Sequence, residues 1–474
     1  MRSTAAALLI GLSAVGCAPK TKYVVPAAAT APAFKENADW KTAQPADAVI
    51  RGAWWDTFGD PQLNALEARI DVSNESLKAA QARFDEARAA VRGARSGLYP
   101  QVTANPSIAA AQQSGNRANS SFHQAFGDFL LPVDVTYEAD VWGRVRGTVA
   151  ARRSEAEATA ADLEAIGLSV HAELAVDYFA LRGLDREHQL LESAVNAFAQ
   201  ALDLTQNRFR GGLASEADVA QAQTQLETTR AQDVDLGVQR AALEHAVAVL
   251  VGQPPSTFAL AASPLASAPP AVPAGLPADL LERRPDIAAA ERRAAAANAE
   301  IGVANAAFYP ILSLTGSAGF ESSSIATWIS SASSLWSLVP SAVVNVFDAG
   351  RRRSVSDQAR AAYEETAASY RETVLTALQE VEDELATLRV LDEEAAIQAR
   401  AVDAAERSLT LATNRYRGGI VSYLEVIVAQ NAALANERAA VNILTRRMAA
   451  SVLLIKALGG GWNRSALPAV TSQP

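Results

Sequence analysis

Cysteine, histidine, methionine and net positive charge are scarce in this chain of 474 residues. A lone cysteine, Cys17, excludes a disulfide framework. Four scattered histidines (His123, His171, His188, His245) show no metal-ligand spacing, so neither a zinc nor a haem site is expected. Lys and Arg total 42 against 52 Asp and Glu, giving a net charge of −10 and a pI of about 5.2. That balance offers nothing to a polyanion such as nucleic acid. Beyond the N-terminus no apolar run approaches the ~20 residues of a spanning helix, so a bilayer crossing must come from a β-barrel or a partner. There is no GxSxG elbow, P-loop, HExxH or paired cysteine, so no enzyme and no cofactor are expected. The histidines read as ordinary surface or interface residues. Abundant alanine suits long, closely packed helices better than a large enzyme core.

Residues 1–16 read as an export signal: Arg2, an apolar stretch of about a dozen residues, then small residues before Cys17. That end resembles a bacterial lipobox, with Ala14 where the pattern usually has leucine. The resemblance implies a covalent lipid on Cys17. Ala18 after it, in place of aspartate, implies sorting to the outer membrane.

The rest of the chain is a duplication. Asn207-Arg208-Phe209-Arg210-Gly211-Gly212 recurs 207 residues on as Asn414-Arg415-Tyr416-Arg417-Gly418-Gly419, and Gly143-Arg144 as Gly350-Arg351. Leu98-Tyr99-Pro100 matches Phe308-Tyr309-Pro310. The expected organisation is an extended, lipid-anchored leader (17–53), a first repeat (54–252), a Pro-rich linker over the surface (253–277), a second repeat (278–462) and a tail (463–474).

Each repeat has one inner order. A helix opens it, over 61–95 with Asp60 as N-cap and Pro61 at the first position, and again from Pro285 to about 306. Strands follow, over 101–111 and 133–141 in the first repeat and 311–320 and 337–347 in the second. The clearest is Val133, Val135, Tyr137, Ala139 and Val141 alternating with Asp134, Thr136, Glu138 and Asp140, the period of two of a strand with an acidic face. From each Gly-Arg onward the period becomes 3.6. About 67 residues (144–210) without proline predict a helix of ~100 Å. A Gly-Gly turn and a returning helix (217–251; 424–458) complete each hairpin. Four strands per chain cannot close a barrel, because open edges are not tolerated in lipid. A ring of copies satisfies the strands and the apolar helix stripes together.

Trp54-Trp55-Asp56-Thr57-Phe58-Gly59-Asp60-Pro61-Gln62-Leu63, Leu281-Glu282-Arg283-Arg284-Pro285-Asp286-Ile287, both Tyr-Pro pairs, Phe347-Asp348-Ala349-Gly350-Arg351 and Ala457-Leu458-Gly459-Gly460-Gly461-Trp462 stand in one order along nearly the whole mature chain. In these the chain resembles the TolC-type outer-membrane factors, and within them the lipoprotein (NodT-type) branch serving resistance–nodulation–division pumps. The resemblance implies a mixed α and β fold: a homotrimeric, twelve-stranded outer-membrane barrel continued by a long α-helical periplasmic tunnel. It implies a periplasmic adaptor protein and an inner-membrane proton-driven transporter as partners.

The same resemblance makes the two helix turns a tip that docks the adaptor: Arg208, Arg210, Gly211, Gly212, Ser215 and Asp218, with Arg415, Arg417, Gly418, Gly419, Ser422 and Glu425. Ser422 with Glu425 has full capping-box spacing, and Ser215 with Asp218 is the version with a shorter acid. In the barrel reading Asp134, Glu138 and Asp140 face the lumen, since charge on the lipid face is costly. Arg283-Arg284-Pro285-Asp286 reads as a helix start with ion pairs, and Trp54 and Trp55 as packing residues. The acid that the family often carries near the tip is replaced by Val428 and Gln221, leaving Asp218 and Glu425 as substitutes. Passive export of small molecules such as drugs is the expected function. A type I protein secretion channel and a lipid-anchored coiled-coil scaffold without a pore remain as alternatives; the alternating strands argue against the scaffold.

Overall fold

The computed structural model of the protein describes residues 22–37, 53–112, 114, 125–266, 268–270, 272, 279–462 and 465. The opening helix is two helices, α1 (Pro61–Ser73) and α2 (Glu75–Ser96). Asp60 caps α1 by accepting from the Gln62 and Leu63 amides, and Pro61 needs no amide partner. The expected single helix over 61–95 breaks at Asn74, whose extended backbone ends α1. Its side chain then caps α2 at Leu77 N and donates to Leu250 O, a contact 176 residues away.

The sheet begins with β1 (Gln101–Ala104) and β2 (Ser107–Ala111), followed by β3 (Phe126–Glu138). Asn105-Pro106 interrupts the expected single strand over 101–111, because proline donates nothing to a ladder. Both pieces pair with β3, so they form one lane. Next come two helices of one hairpin, α3 (Arg144–Arg210) and α4 (Glu216–Leu250). The second repeat supplies the short α5 (Leu280–Arg283), α6 (Pro285–Ala306), β4 (Ile311–Ser322), β5 (Ser334–Val343), α7 (Arg351–Arg417) and α8 (Tyr423–Ala457). The long helices α3 and α7 have 67 residues each, and the returning α4 and α8 have 35 each. β3 starts well before the expected 133, and β5 stops at Val343 rather than 347.

All pairings are antiparallel and the lanes run β1/β2–β3–β4–β5. The helices joined to those strands lie in the same order, with α2 against α3, α3 against α6 and α6 against α7. Sheet and helix layer therefore end at the same two places, β1/β2 with α2 and β5 with α7. Among the described residues four helices lie above the middle (α2, α3, α6, α7) and four below it (α3, α4, α7, α8), matching four strand lanes.

The largest core belts the middle of the long helices. It gathers Trp54, Phe58, Leu63 and Ile70 onto Leu174, Tyr178 and Leu181 of α3 and onto Val374, Val381 and Leu385 of α7. The leader joins it with Phe34, buried while Glu36 pairs with Arg389 and the Lys35 and Glu36 amides donate to Glu382. The linker runs over the surface as expected, with most of its described residues exposed, and is pinned at three points. Leu260, Leu265 and Val272 are buried in this core, and side chains of Arg182, Asp185, Arg240 and Glu244 satisfy its backbone. An extended chain can be held against a core when side chains supply the partners that helix or sheet would otherwise give. Among the described residues no helix is long and apolar enough to cross a membrane.

Candidate docking tip and channel wall

The far end of the bundle carries the two Gly-Gly turns. Gly212 and Gly419 have φ of +72° and +73°. In the first turn Leu213 N donates to Arg208 O (2.8 Å) and Gly212 N to Phe209 O (2.9 Å). The second repeats both bonds, from Ile420 N to Arg415 O and from Gly419 N to Tyr416 O, each 2.9 Å. These are paired Schellman closures that satisfy the last carbonyls of α3 and α7. Gly211 and Gly418 are the C-cap residues before them.

The caps on the returning helices reverse the expectation. Ser215 and Asp218 form the complete box: Ser215 Oγ accepts from Asp218 N (3.2 Å), and Asp218 accepts from Ser215 N (2.8 Å). Ser422 makes no side-chain cap among the described residues, and the Glu425 carboxylate pairs with Arg415 at 3.3 Å. Arg208 is a brace between hairpins. It donates to Tyr416 O at 2.8 Å, with its guanidinium carbon 4.6 Å from the Tyr416 ring centroid. Arg210 donates to Asn207 within its own helix, while Arg417 is exposed. The sequence reading missed the exposed apolar rim of Leu213, Ile420, Leu424 and Val428. Leu213 and Ile420 occupy equivalent positions of the two repeats, and that repetition was the available signal. Gln221 is exposed on α4.

At the other end the sheet has two chemically distinct faces. Across the lanes Asp134 stands opposite Ser317, Thr136 opposite Thr315 and Glu138 opposite Ser313. The other face brings Val135, Gly316 and Leu338 into line, and likewise Val133, Ala318 and Trp336. Trp336 is 80% exposed and Leu338 61%, so this apolar face has no cover among the described residues. Asp134 and Glu138 stand on β3, but Asp140 lies past its end. That corrects the expected strand position: Asp140 caps α3 by accepting from the Val145 and Arg146 amides, and pairs with the Arg146 side chain. Glu138 receives Arg144 in a two-pronged pair at 2.8 and 2.6 Å.

His171 is a second correction. It is buried where α1 crosses α3, with Nδ1 2.7 Å from Glu67 Oε2 and Nε2 3.2 Å from Asp71 Oδ1, and it stacks on Trp55 at 4.5 Å. Glu67 is fully buried and its Oε1 has no hydrogen-bond partner among the described residues. Burial pushes its carboxyl up to about 7, against the pull of His171. Nothing in sequence spacing joins positions 67 and 171. Arg284 meets its expectation, gripping Asp286 with Nε and Nη2 and reaching Glu380 and Ala457 O with Nη1. Cys17 and His123 lie outside the described residues.

The family model for outer membrane efflux proteins matches residues 68–253 and 276–460, one segment in each repeat. The chain belongs to the outer membrane efflux protein family. Family members are outer-membrane channels of efflux pumps, and this chain is an outer-membrane component of that kind. It is similar to the solvent efflux pump outer membrane protein SrpC of Pseudomonas putida, with 33% identity over 418 residues, 86% of this chain and 87% of that one. The pyoverdine export outer membrane protein OpmQ of Pseudomonas aeruginosa is 32% identical over 421 residues, again 86% and 87% of the two chains. Among solved structures, the outer-membrane channel OprN matches with a TM-score of 0.88 and 30% identity, over 94% of this chain and all of that one. The Campylobacter jejuni CmeC outer membrane channel matches with a TM-score of 0.89 and 25% identity, over 95% and 96% of the two chains.

Proposed function

We propose that three copies of this efflux protein close into a passive exit duct for small molecules such as drugs. The observation that carries this is the shared order of strands and helices, which leaves both layers open at the same two edges. Three copies of four lanes give twelve strands, enough for a closed barrel, with twelve helices at every level below. The uncovered apolar face then meets lipid, and Asp134, Thr136 and Glu138 line the lumen.

Energy comes from an inner-membrane proton-driven transporter through a periplasmic adaptor, which docks on the exposed tip at Arg210, Leu213, Arg417 and Ile420. A lipid on Cys17 adds a second attachment to the outer membrane. The test is mass and conductance of the detergent-extracted, full-length protein. A trimer that conducts in planar bilayers supports the duct; a stable monomer with full β content overturns it.

A further inference from the structure

The two repeats differ where strand gives way to long helix. In the first, Arg144 and Arg146 open α3 and are neutralised by Glu138 and Asp140. Their equivalents 207 residues on are Arg351 and Arg353, opening α7, but the acids have become Asn345 and Phe347. Among the described residues Asp348 serves only Arg352 and the backbone. Arg351 and Arg353 are exposed and have no ion-pair partner among the described residues. Cations at a helix N-terminus oppose the macrodipole, so two unpaired arginines there have no local justification. Beside them Val346 is 89% exposed and Phe347 88%. Apolar side chains with arginines at the end of a membrane strand suit the boundary between acyl chains and headgroups.

A neighbouring copy is an unsuitable partner for these charges. Closing the ring brings the opposite edge alongside, where α2 runs into β1. Residues 87–112 contain no acid, and Arg92 and Arg95 there are exposed and also without ion pairs among the described residues. Closure therefore adds positive charge to positive charge, and anions must come from outside the protein. We propose that Arg351 and Arg353, with Arg92 and Arg95 of the adjoining copy, form a collar at the periplasmic rim of the barrel that binds the phosphates of anionic glycerophospholipids in the adjoining leaflet. This rests on the closed-channel reading given above.

The test is lipid retained by the full-length protein in nanodiscs of phosphatidylcholine and phosphatidylglycerol, measured by native mass spectrometry. The wild type should retain phosphatidylglycerol at least threefold above its share of the mixture. Arg351→Gln with Arg353→Gln should bring retention to about the bulk ratio. So should Asn345→Glu with Phe347→Asp, which restores the acids of the first repeat. Arg360→Gln, roughly 14 Å farther along α7, should behave as wild type. A closed wild-type channel without enrichment overturns the collar alone, and a monomeric wild type overturns the closed-channel reading. Undiminished enrichment in both double variants overturns the assignment of Arg351 and Arg353. Dissociation of the arginine variant in pure phosphatidylcholine shows a bond between copies and overturns it too.

Discussion

At the residue scale the most consequential group is Glu67, a buried carboxyl with one oxygen on His171 and the other unpartnered among the described residues. Its folded pKa of about 7 lies above the ordinary 4.5. Between those values the folded chain holds a proton that the unfolded chain releases. Stability from this group is therefore greatest at or below pH 4.5 and declines as pH rises towards 7. At about 1.4 kcal/mol per unit the whole change is on the order of 3 kcal/mol. Thermal unfolding of the wild type and Glu67→Gln between pH 5 and 8 checks this. The wild type should lose more stability than the variant as pH rises, and parallel profiles would refute the assignment. His171 was legible as a histidine within a helix but not as a buried one, because its partners sit 104 and 100 positions away.

At the scale of elements, the two hairpins share their lengths and turns but not their caps. Ser215→Ala removes a formed box and should destabilise the start of α4 by about 1 kcal/mol. Ser422→Ala removes a hydroxyl that caps nothing and should have little effect on α8. Hydrogen exchange at the first-turn amides of both helices separates the two, and equal loss of protection contradicts the asymmetry. The glycines make a functional prediction. Valine at Gly212 and Gly419 must adopt positive φ, costing about 1 kcal/mol or more each. The double variant should reach the outer membrane and assemble, since the barrel lies ~100 Å away along the helices. Adaptor crosslinking and drug resistance should both fall in a strain that depends on it. Full resistance with unchanged crosslinking places docking elsewhere.

For the whole molecule, the sheet sets the orientation. Leu338 lies on the apolar face and Ser337 on the polar one, in register with Gly316 and Ser317. In the proposed duct arginine at 338 would meet lipid and should cost about 2–4 kcal/mol near mid-membrane, with loss of assembled channel. Arginine at 337 would meet the lumen of that duct, so assembly should persist and conductance should change. Heat-modifiable migration on gels and bilayer recordings read the two outcomes, and tolerance of Leu338→Arg with loss at Ser337→Arg reverses the faces.

Sequence alone determined the duplication, the lengths of α3 and α7, the Gly-Gly turns and the alternating acids of β3. Each depends on side-chain period or on backbone chemistry within a few residues, where proline, glycine and apolar spacing act directly. Tertiary structure decided the rest. It broke the opening helix at Asn74 through a contact with Leu250 O, paired Glu425 with Arg415, and set Arg208 as a brace on Tyr416. It also pinned the surface linker through Leu260, Leu265 and Val272. The physical reason is the same throughout: a carboxylate or amide with several neighbours in reach takes the partner that packing brings closest, and packing joins residues far apart in the chain.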